Sequence, residues 1–318
     1  DSQALEDDLG DDLLRLMFVA CHPVLPADAR VALTLRLLGG LTTVEIARAF
    51  LQPEPTIAQR IVRAKRTLAQ KQVPYEVPRA EAMPERLASV LEAIYLVFNE
   101  GYAASAGDDW MRPTLCEEAL RLARILAHRL PVPPVLGLLA LMELQASRAA
   151  ARVDAQGVPV LLDQQNRARW DWLQIERGQQ VLARALAAGG GDDPYVLQAR
   201  IAACHAAARR PEDTDWPRIA ALYAQLLQVQ PSPVVALNRV VAILRSDGPF
   251  AAWAQLQPLL VDARLRDYAP LQVVRGELLQ ALGREQDARD AFGEAARLSQ
   301  NQAERGLLRQ RAGLPPTD

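Results

Sequence analysis

The chain has 318 residues, half of them apolar, enough for two or three compact domains with substantial buried cores. A net charge of −2 excludes a uniformly basic nucleic-acid binder, so any contact with DNA must come from a local concentration of charge. No apolar run approaches the roughly twenty residues needed to cross a bilayer, and the three cysteines, Cys21, Cys116 and Cys204, are isolated, as suits free thiols in a reducing cytosol.

In chain order, the acidic stretch through Glu6, Asp7, Asp8, Asp11 and Asp12 reads as a linker, and the absence of an initial Met leads to the expectation that something upstream has been lost. Leu13 to Cys21 is a predicted helix closed by His22-Pro23, and a second runs from Ala29 to Leu38, stopped by Gly39-Gly40. Thr42 stands three residues before Glu45, the spacing of a capping box, and predicts a short helix to Phe50. After Leu51-Gln52-Pro53, Pro55 opens a longer helix ending near Gln70.

At about 100° per residue, Ile57, Ile61, Ala64 and Leu68 share one face of that longer helix. Thr56, Gln59, Arg63 and Arg66 share the other, with Arg60 and Lys65 flanking. Between Glu54 and Lys71 the basic residues Arg60, Arg63, Lys65, Arg66 and Lys71 face the single acid Glu54, and such side chains displace counterions from a phosphate backbone. A short helix, tight turn and longer basic helix is the arrangement that places a recognition helix in the major groove, where Gln59 could pair with adenine and the arginines with guanine or phosphate. A basic amphipathic helix alone is more often a solvated surface element. That alternative weakens when glycine stop, capping box, short turn and segregated basic face coincide.

Pro74, Pro78 and Pro84 punctuate a polar stretch and place a boundary near residue 80. Leu87–Tyr95, Leu115–Leu130, Val135–Ala151 and Trp172–Leu186 carry helical periodicity. Asn99, Glu100, Asp163, Arg167, Arg169, Trp170 and Asp171 are polar or aromatic enough to build a ligand site, although caps and inter-helix salt bridges account for such residues at least as well. Gly189-Gly-Gly191 follows a helix and lacks a nucleotide-binding pattern, so it reads as a flexible connection.

Helical repeats with a period of about 34 residues are expected towards the end. Gly276, Leu279, Ala288, Phe292 and Ala295 occupy small and large packing positions around a turn at Gly283. Tyr223 with Pro231 marks an earlier unit, and a degenerate one lies between Pro233 and Leu260. Cys21-His22 and Cys204-His205 are sequence neighbours on helices and point about 100° apart, which argues against a nucleophile–base pair. With His128 the only other histidine, no metal site, cofactor or catalytic residue is expected.

The segments Ala32–Leu41, Thr43–Phe50 and Thr56–Lys65 resemble region four of extracytoplasmic-function sigma factors. More narrowly, Tyr95–Ser105, Gly137–Met142, Ser147–Arg152 and Asp163–Trp170 resemble the group that carries a long C-terminal extension with tetratricopeptide-like repeats. Two departures stand out: Tyr268–Gln272 replaces a stretch where related extensions often place histidines, and Gln145-Ala146 replaces a more polar pair.

The resemblance implies promoter DNA and core RNA polymerase as partners, a cytoplasmic location and no enzymatic activity. It implies that Thr56 to Arg66, with Gln59, Arg60, Arg63 and Lys65, reads the minus-thirty-five element, while Thr43 and Arg48 lie near phosphates. Nothing in the chain matches region two, so it is not expected to initiate transcription alone. The expected fold is all-α: a helix-turn-helix domain with its leading linker (1–79), an α-helical extension domain (80–190) and tetratricopeptide-like repeats (191–318). The extension would regulate activity or bind a protein or peptide, without membrane contact. In the alternative reading, the repeats are the working scaffold for a partner protein and the helix-turn-helix is a docking domain.

Overall fold

The computed structural model describes residues 2–315, and for residues 2–9 the backbone alone. Among the described residues, fifteen α-helices account for nearly all the regular structure, with two isolated β-bridges and no strand. The all-α expectation is met. No helix among the described residues is long and apolar enough to cross a membrane.

Contacts divide the chain into two compact units, and the division falls elsewhere than at residues 80 and 190. The first unit comprises residues up to Ala104 together with Met111–Leu139; the second comprises Ser105–Trp110 and the chain from Ala140 onward. The Pro-rich stretch around residues 74–84 breaks the helical path without ending the core.

The first unit holds α1 (Ser2–Ala20), α2 (Ala27–Leu37), α3 (Thr43–Ala49), α4 (Glu54–Gln70), α5 (Met83–Tyr102) and α6 (Pro113–Arg129). The acidic stretch expected as a linker is the first half of α1. Asp11 and Asp12 lie on its exposed side while Leu14, Met17 and Phe18 are buried, and Asp12 accepts a hydrogen bond from Arg15 at 3.1 Å.

Helix α5 presents Val90, Leu91, Ile94, Val97 and Phe98 to the core of this unit. Polar contacts fix its register. The Arg30 guanidinium donates to Ser89 Oγ at 2.7 Å and to Glu92 at 2.7 Å, Ser89 Oγ donates to the Cys21 carbonyl, and Arg86 donates to the Phe18 carbonyl at 2.7 Å. From α6, Arg121 donates to the Leu38 carbonyl at 2.6 Å. Helices α5 and α6 therefore complete the core begun by α1 and α2.

Helix α7 (Pro133–Ala146) stops short of the expected Ala151. Ser147 turns its hydroxyl back to the Leu144 carbonyl at 2.7 Å, and a short 3-10 turn follows at Ala149–Ala151. The second unit continues with α8 (Trp172–Ala187), α9 (Pro194–Ala207), α10 (Trp216–Val229), α11 (Pro233–Ser246), α12 (Pro249–Leu260), α13 (Ala269–Ala281), α14 (Glu285–Leu298) and α15 (Gln302–Arg311). Successive helices pack as hairpins, with hydrophobic clusters centred on Leu222 and Ala242, on Leu256 and Leu278, and on Phe292 and Ala295.

The α13–α14 hairpin has the expected small-and-large packing. A Cβ at Gly276 would lie 2.6 Å from the Phe292 ring, so only glycine admits this close crossing, and Gly283 turns the chain at φ +75°.

In the same unit the His205 ring packs edge-on to Trp216 at 5.2 Å, and its Nδ1 is sealed from water without a hydrogen-bond partner among the described residues. Burial first, then the Arg148 and Arg167 guanidinium charges, push its pKa from 6.5 down to about 3. The unfolded chain therefore takes up this proton first as pH falls. Proton uptake by His205 costs no stability above about pH 6.5, and below that the folded state weakens by about 1.4 kcal/mol per pH unit towards pH 3. Thermal melts between pH 7.5 and 4.5 should show this decline, and His205→Phe should flatten it. Parallel curves for the two proteins would refute the assignment.

Candidate nucleic-acid interface

The short helix α3 begins as its sequence requires. Thr42 Oγ1 accepts a hydrogen bond from the Glu45 amide at 3.2 Å, and the Glu45 carboxylate accepts from the Thr42 amide at 2.7 Å and its hydroxyl at 2.8 Å. Hydrogen bonds from the Thr42 backbone and then its side chain hold the Glu45 carboxyl below the usual carboxylate range. Upstream, the amides of Gly39 and Leu41 close the end of α2 onto Thr34 and Leu35, and Gly40 takes φ +65°.

The turn between α3 and α4 holds Leu51 at φ 49°, in the left-handed region, with its side chain 53% exposed. Helix α4 then starts at Glu54, one residue before the expected Pro55, which still occupies the first turn, where its missing N–H leaves no bond unmade. Ile46 and Ala47 of α3 and Ile57, Ile61, Ala64 and Leu68 of α4 are buried, and both helices pack on α2.

The opposite face of α4 is open. Thr56, Gln59, Arg63, Lys65 and Arg66 are exposed, and Arg63, Lys65 and Arg66 make no ion pair among the described residues. By helical spacing Gln59, Arg63, Arg66 and Thr56 fall on one face. On α3, Arg48 is exposed and Thr43 half-buried.

Arg60 differs from its neighbours. Its Nε lies 2.9 Å from Asp28 Oδ2 in the first turn of α2, and its side chain is only 21% exposed. Expected as a flanking cation, it instead ties α4 to α2. Asp28, Thr56, Gln59, Arg60 and Arg63 line a surface groove of about 380 Å³ beside the exposed face.

Val62 is 64% exposed on the open side, between Gln59 and Arg66 in chain order, and was not among the expected interface residues. An apolar side chain there can meet a thymine methyl group. Its signal is weak: a valine next to a stripe of isoleucines reads as core unless its angle on the helix is weighed alone.

Most of the polar residues considered for a ligand site have structural partners, whereas Asn99 and Arg169 are exposed. Glu100 pairs with Arg112 in the first unit. In the second, Asp171 caps α8 through the Gln174 amide at 2.9 Å, and Arg167 is buried, donating to the carbonyls of His205 and Ala208 and stacking over Trp170. Asp163 pairs with Arg245 at 3.3 Å, and Arg169 is exposed. Cys21 is buried, 3.2 Å from Thr34 Oγ1, while His22 Nδ1 accepts from the Val24 amide at 3.0 Å, so the two side chains are engaged separately. No group of three His, Cys, Asp or Glu among the described residues could hold a metal ion.

Residues 15–68 match the family Sigma-70, region 4, and residues 86–186 match a family of unknown function, DUF6596. An uncharacterised protein of Rhizobium meliloti (strain 1021) is 47% identical over 300 residues, covering 94% of this chain and 70% of that protein. No solved structure matches.

Proposed function

This chain belongs to the same family as that Rhizobium meliloti protein and carries a sigma-70 region 4 domain, and on that premise we propose that it reads promoter DNA during transcription initiation. The observation that carries this reading is the open face of α4: Gln59, Arg63 and Arg66 project together with no ion pair among the described residues. Had these arginines been closed into salt bridges with other helices, DNA reading would be masked. The ion pair of Arg60 lies within the domain itself, to Asp28 of α2.

In this reading α4 enters the major groove at the minus-thirty-five element. Gln59 meets a base edge, Arg63 and Arg66 meet guanine edges together with the flanking phosphates, and Thr56 sits at the groove entrance. Thr43, Arg48 and Lys65 contact phosphates, and Arg60 contributes by holding α4 against α2. The chain acts with core RNA polymerase, as part of an extracytoplasmic-function sigma factor of the group with a long tetratricopeptide-like extension, in the cytoplasm. The helical hairpins of the second unit regulate that activity and are the surface for a protein or peptide partner. No catalytic residue or cofactor is assigned. The scaffold reading, with the helix-turn-helix only docking, leaves the unpaired arginines of α4 unused.

Footprinting with core polymerase on DNA upstream of the gene tests the proposal. Protection of a defined segment about 35 base pairs before the start site, lost when that segment is scrambled, is the expected result. Protection that does not depend on sequence would overturn it.

A further inference from the structure

The first unit contains a pocket of about 320 Å³ lined by residues of α2, α3, α4 and α5. Four of them, Val31, Ala32, Ile46 and Ile57, are at most 6% exposed, and Phe50 and Leu96 add further apolar surface. The volume is about twice the roughly 150 Å³ of an apolar cavity that holds benzene, which sets the scale at two fused rings.

The charges at the pocket are already compensated. Asp28 and Arg60 pair at 2.9 Å, and Glu100 pairs with Arg112. A charged ligand would have to compete with a carboxylate or guanidinium group in place, whereas an uncharged one leaves both pairs intact.

Two lining groups lack the neighbours that their chemistry calls for. The Phe50 ring has no aromatic or cationic partner among the described residues, so it is available for offset or edge-on contact with another ring. The Gln52 side-chain oxygen is sealed from water without a hydrogen-bond partner among the described residues, and an unpaired buried acceptor is costly. The α3–α4 turn puts it there: Leu51 takes φ 49°, and the Gln52 amide donates to the Ala47 carbonyl at 2.9 Å, fixing the backbone beside the pocket. The terminal torsion of a glutamine is soft, so the carboxamide can turn to meet a donor in the pocket while the backbone stays in place.

We propose that this pocket is a binding site for a small uncharged aromatic compound with one hydrogen-bond donor, its rings against Phe50, Ile46 and Ile57 and its donor on Gln52 Oε1. Ile57 and Arg60 belong to α4, and Asp28 and Arg60 also line the groove beside the exposed face of that helix, so the occupant touches the element that carries the DNA-reading residues. The site is independent of the DNA-reading assignment, and its test reads binding without DNA.

The probe is indole, titrated into the full chain carrying labelled isoleucine, leucine and valine methyl groups and followed by NMR. Two controls accompany it: 1-methylindole, which lacks the N–H, and indole-3-acetate, which adds a charge. The expected result is saturable shifts confined to the methyl groups around the pocket, those of Val31, Ile46, Ile57 and Leu96. Binding of 1-methylindole should be at least about fivefold weaker, the worth of one hydrogen bond, and indole-3-acetate should have no effect. Gln52→Leu should bring indole and 1-methylindole to equal affinity. Leu96→Trp, at a position 39% exposed, fills the pocket from its rim and should abolish binding of both. Gln52→Leu removes only an unpaired acceptor, so it decides the matter if the tryptophan disturbs folding. Shifts spread over methyl groups of both units, equal affinity for the two indoles in wild type, a preference for indole that survives Gln52→Leu, or binding retained in Leu96→Trp would overturn the proposal. So would the absence of saturable shifts, and if the same methyl groups respond instead to core polymerase, the pocket belongs to an apolar side chain of that partner.

Discussion

A chain ended at residue 80 should lose both cooperative folding and promoter binding, whereas one ended at residue 139 should keep both. The shorter chain contains all of the sigma-70 region 4 match, residues 15–68, yet lacks α5 and α6. Without α5, the core loses Val90, Leu91, Ile94, Val97 and Phe98, each now at most 2% exposed. At about 1.5–3 kcal/mol for each large apolar side chain buried, the loss is comparable to the whole stability of a small domain, about 5–15 kcal/mol.

The polar consequences add to this. Arg30 would lose Ser89 and Glu92, and the carbonyls of Cys21, Phe18 and Leu38 would lose the donors Ser89, Arg86 and Arg121. Circular dichroism melts and anisotropy with the promoter fragment check the expectation. A chain ended at residue 80 that melts as sharply as the longer one would show that α1–α4 are self-sufficient. If the expectation holds, inactivity of such a truncation says nothing about regulation by the extension, because the cut removes part of the DNA-reading unit itself.

The second large effect concerns α4. Replacing Arg63 and Arg66 together with alanine should weaken promoter binding by at least about tenfold and reduce the salt dependence. Each phosphate neutralised contributes about −0.9 to the slope of log affinity against log salt, so losing two contacts should flatten it by roughly 1.8. Both side chains are exposed and unpaired among the described residues, so their removal should leave the melting temperature unchanged. Binding titrations at several salt concentrations measure this. A tenfold loss with an unchanged slope would point to base-edge contacts alone, and no loss at all would remove α4 from the interface.

Asp28→Ala provides an internal contrast. It breaks the 2.9 Å pair that holds Arg60 while leaving Arg63 and Arg66 in place. Any effect on DNA binding would then come through the seating of α4 on α2.

Several features of this protein are written locally in its sequence. The Thr42–Glu45 capping box needs only a three-residue spacing, and the buried row Ile57, Ile61, Ala64 and Leu68 needs only the helical period. The glycine at 276 and the phenylalanine at 292 belong together for a similar reason, since two helices joined at Gly283 must cross close to their turn. In each case the interacting groups sit within one or two adjacent elements, so backbone geometry alone brings them together.

Tertiary structure decided the rest. The acidic start reads as a linker by composition, but it is continuous with α1, whose later residues Leu14, Met17 and Phe18 are buried in the core of the first unit. Arg60 is indistinguishable from Arg63 as a residue type, and what separates them is Asp28, which lies 32 positions earlier and meets Arg60 only when α2 and α4 pack. The Pro-rich stretch near residue 80 marks a change of chain direction, and tertiary contacts such as Arg30–Ser89, 59 residues apart, and Arg86–Phe18 show that the same core continues beyond it. In the second unit, Asp163 and Arg245 lie 82 residues apart in sequence and come within 3.3 Å only in the folded chain. Periodicity and capping depend on neighbours along the chain, whereas charge pairing, domain limits and cavities depend on which distant surfaces share their burial.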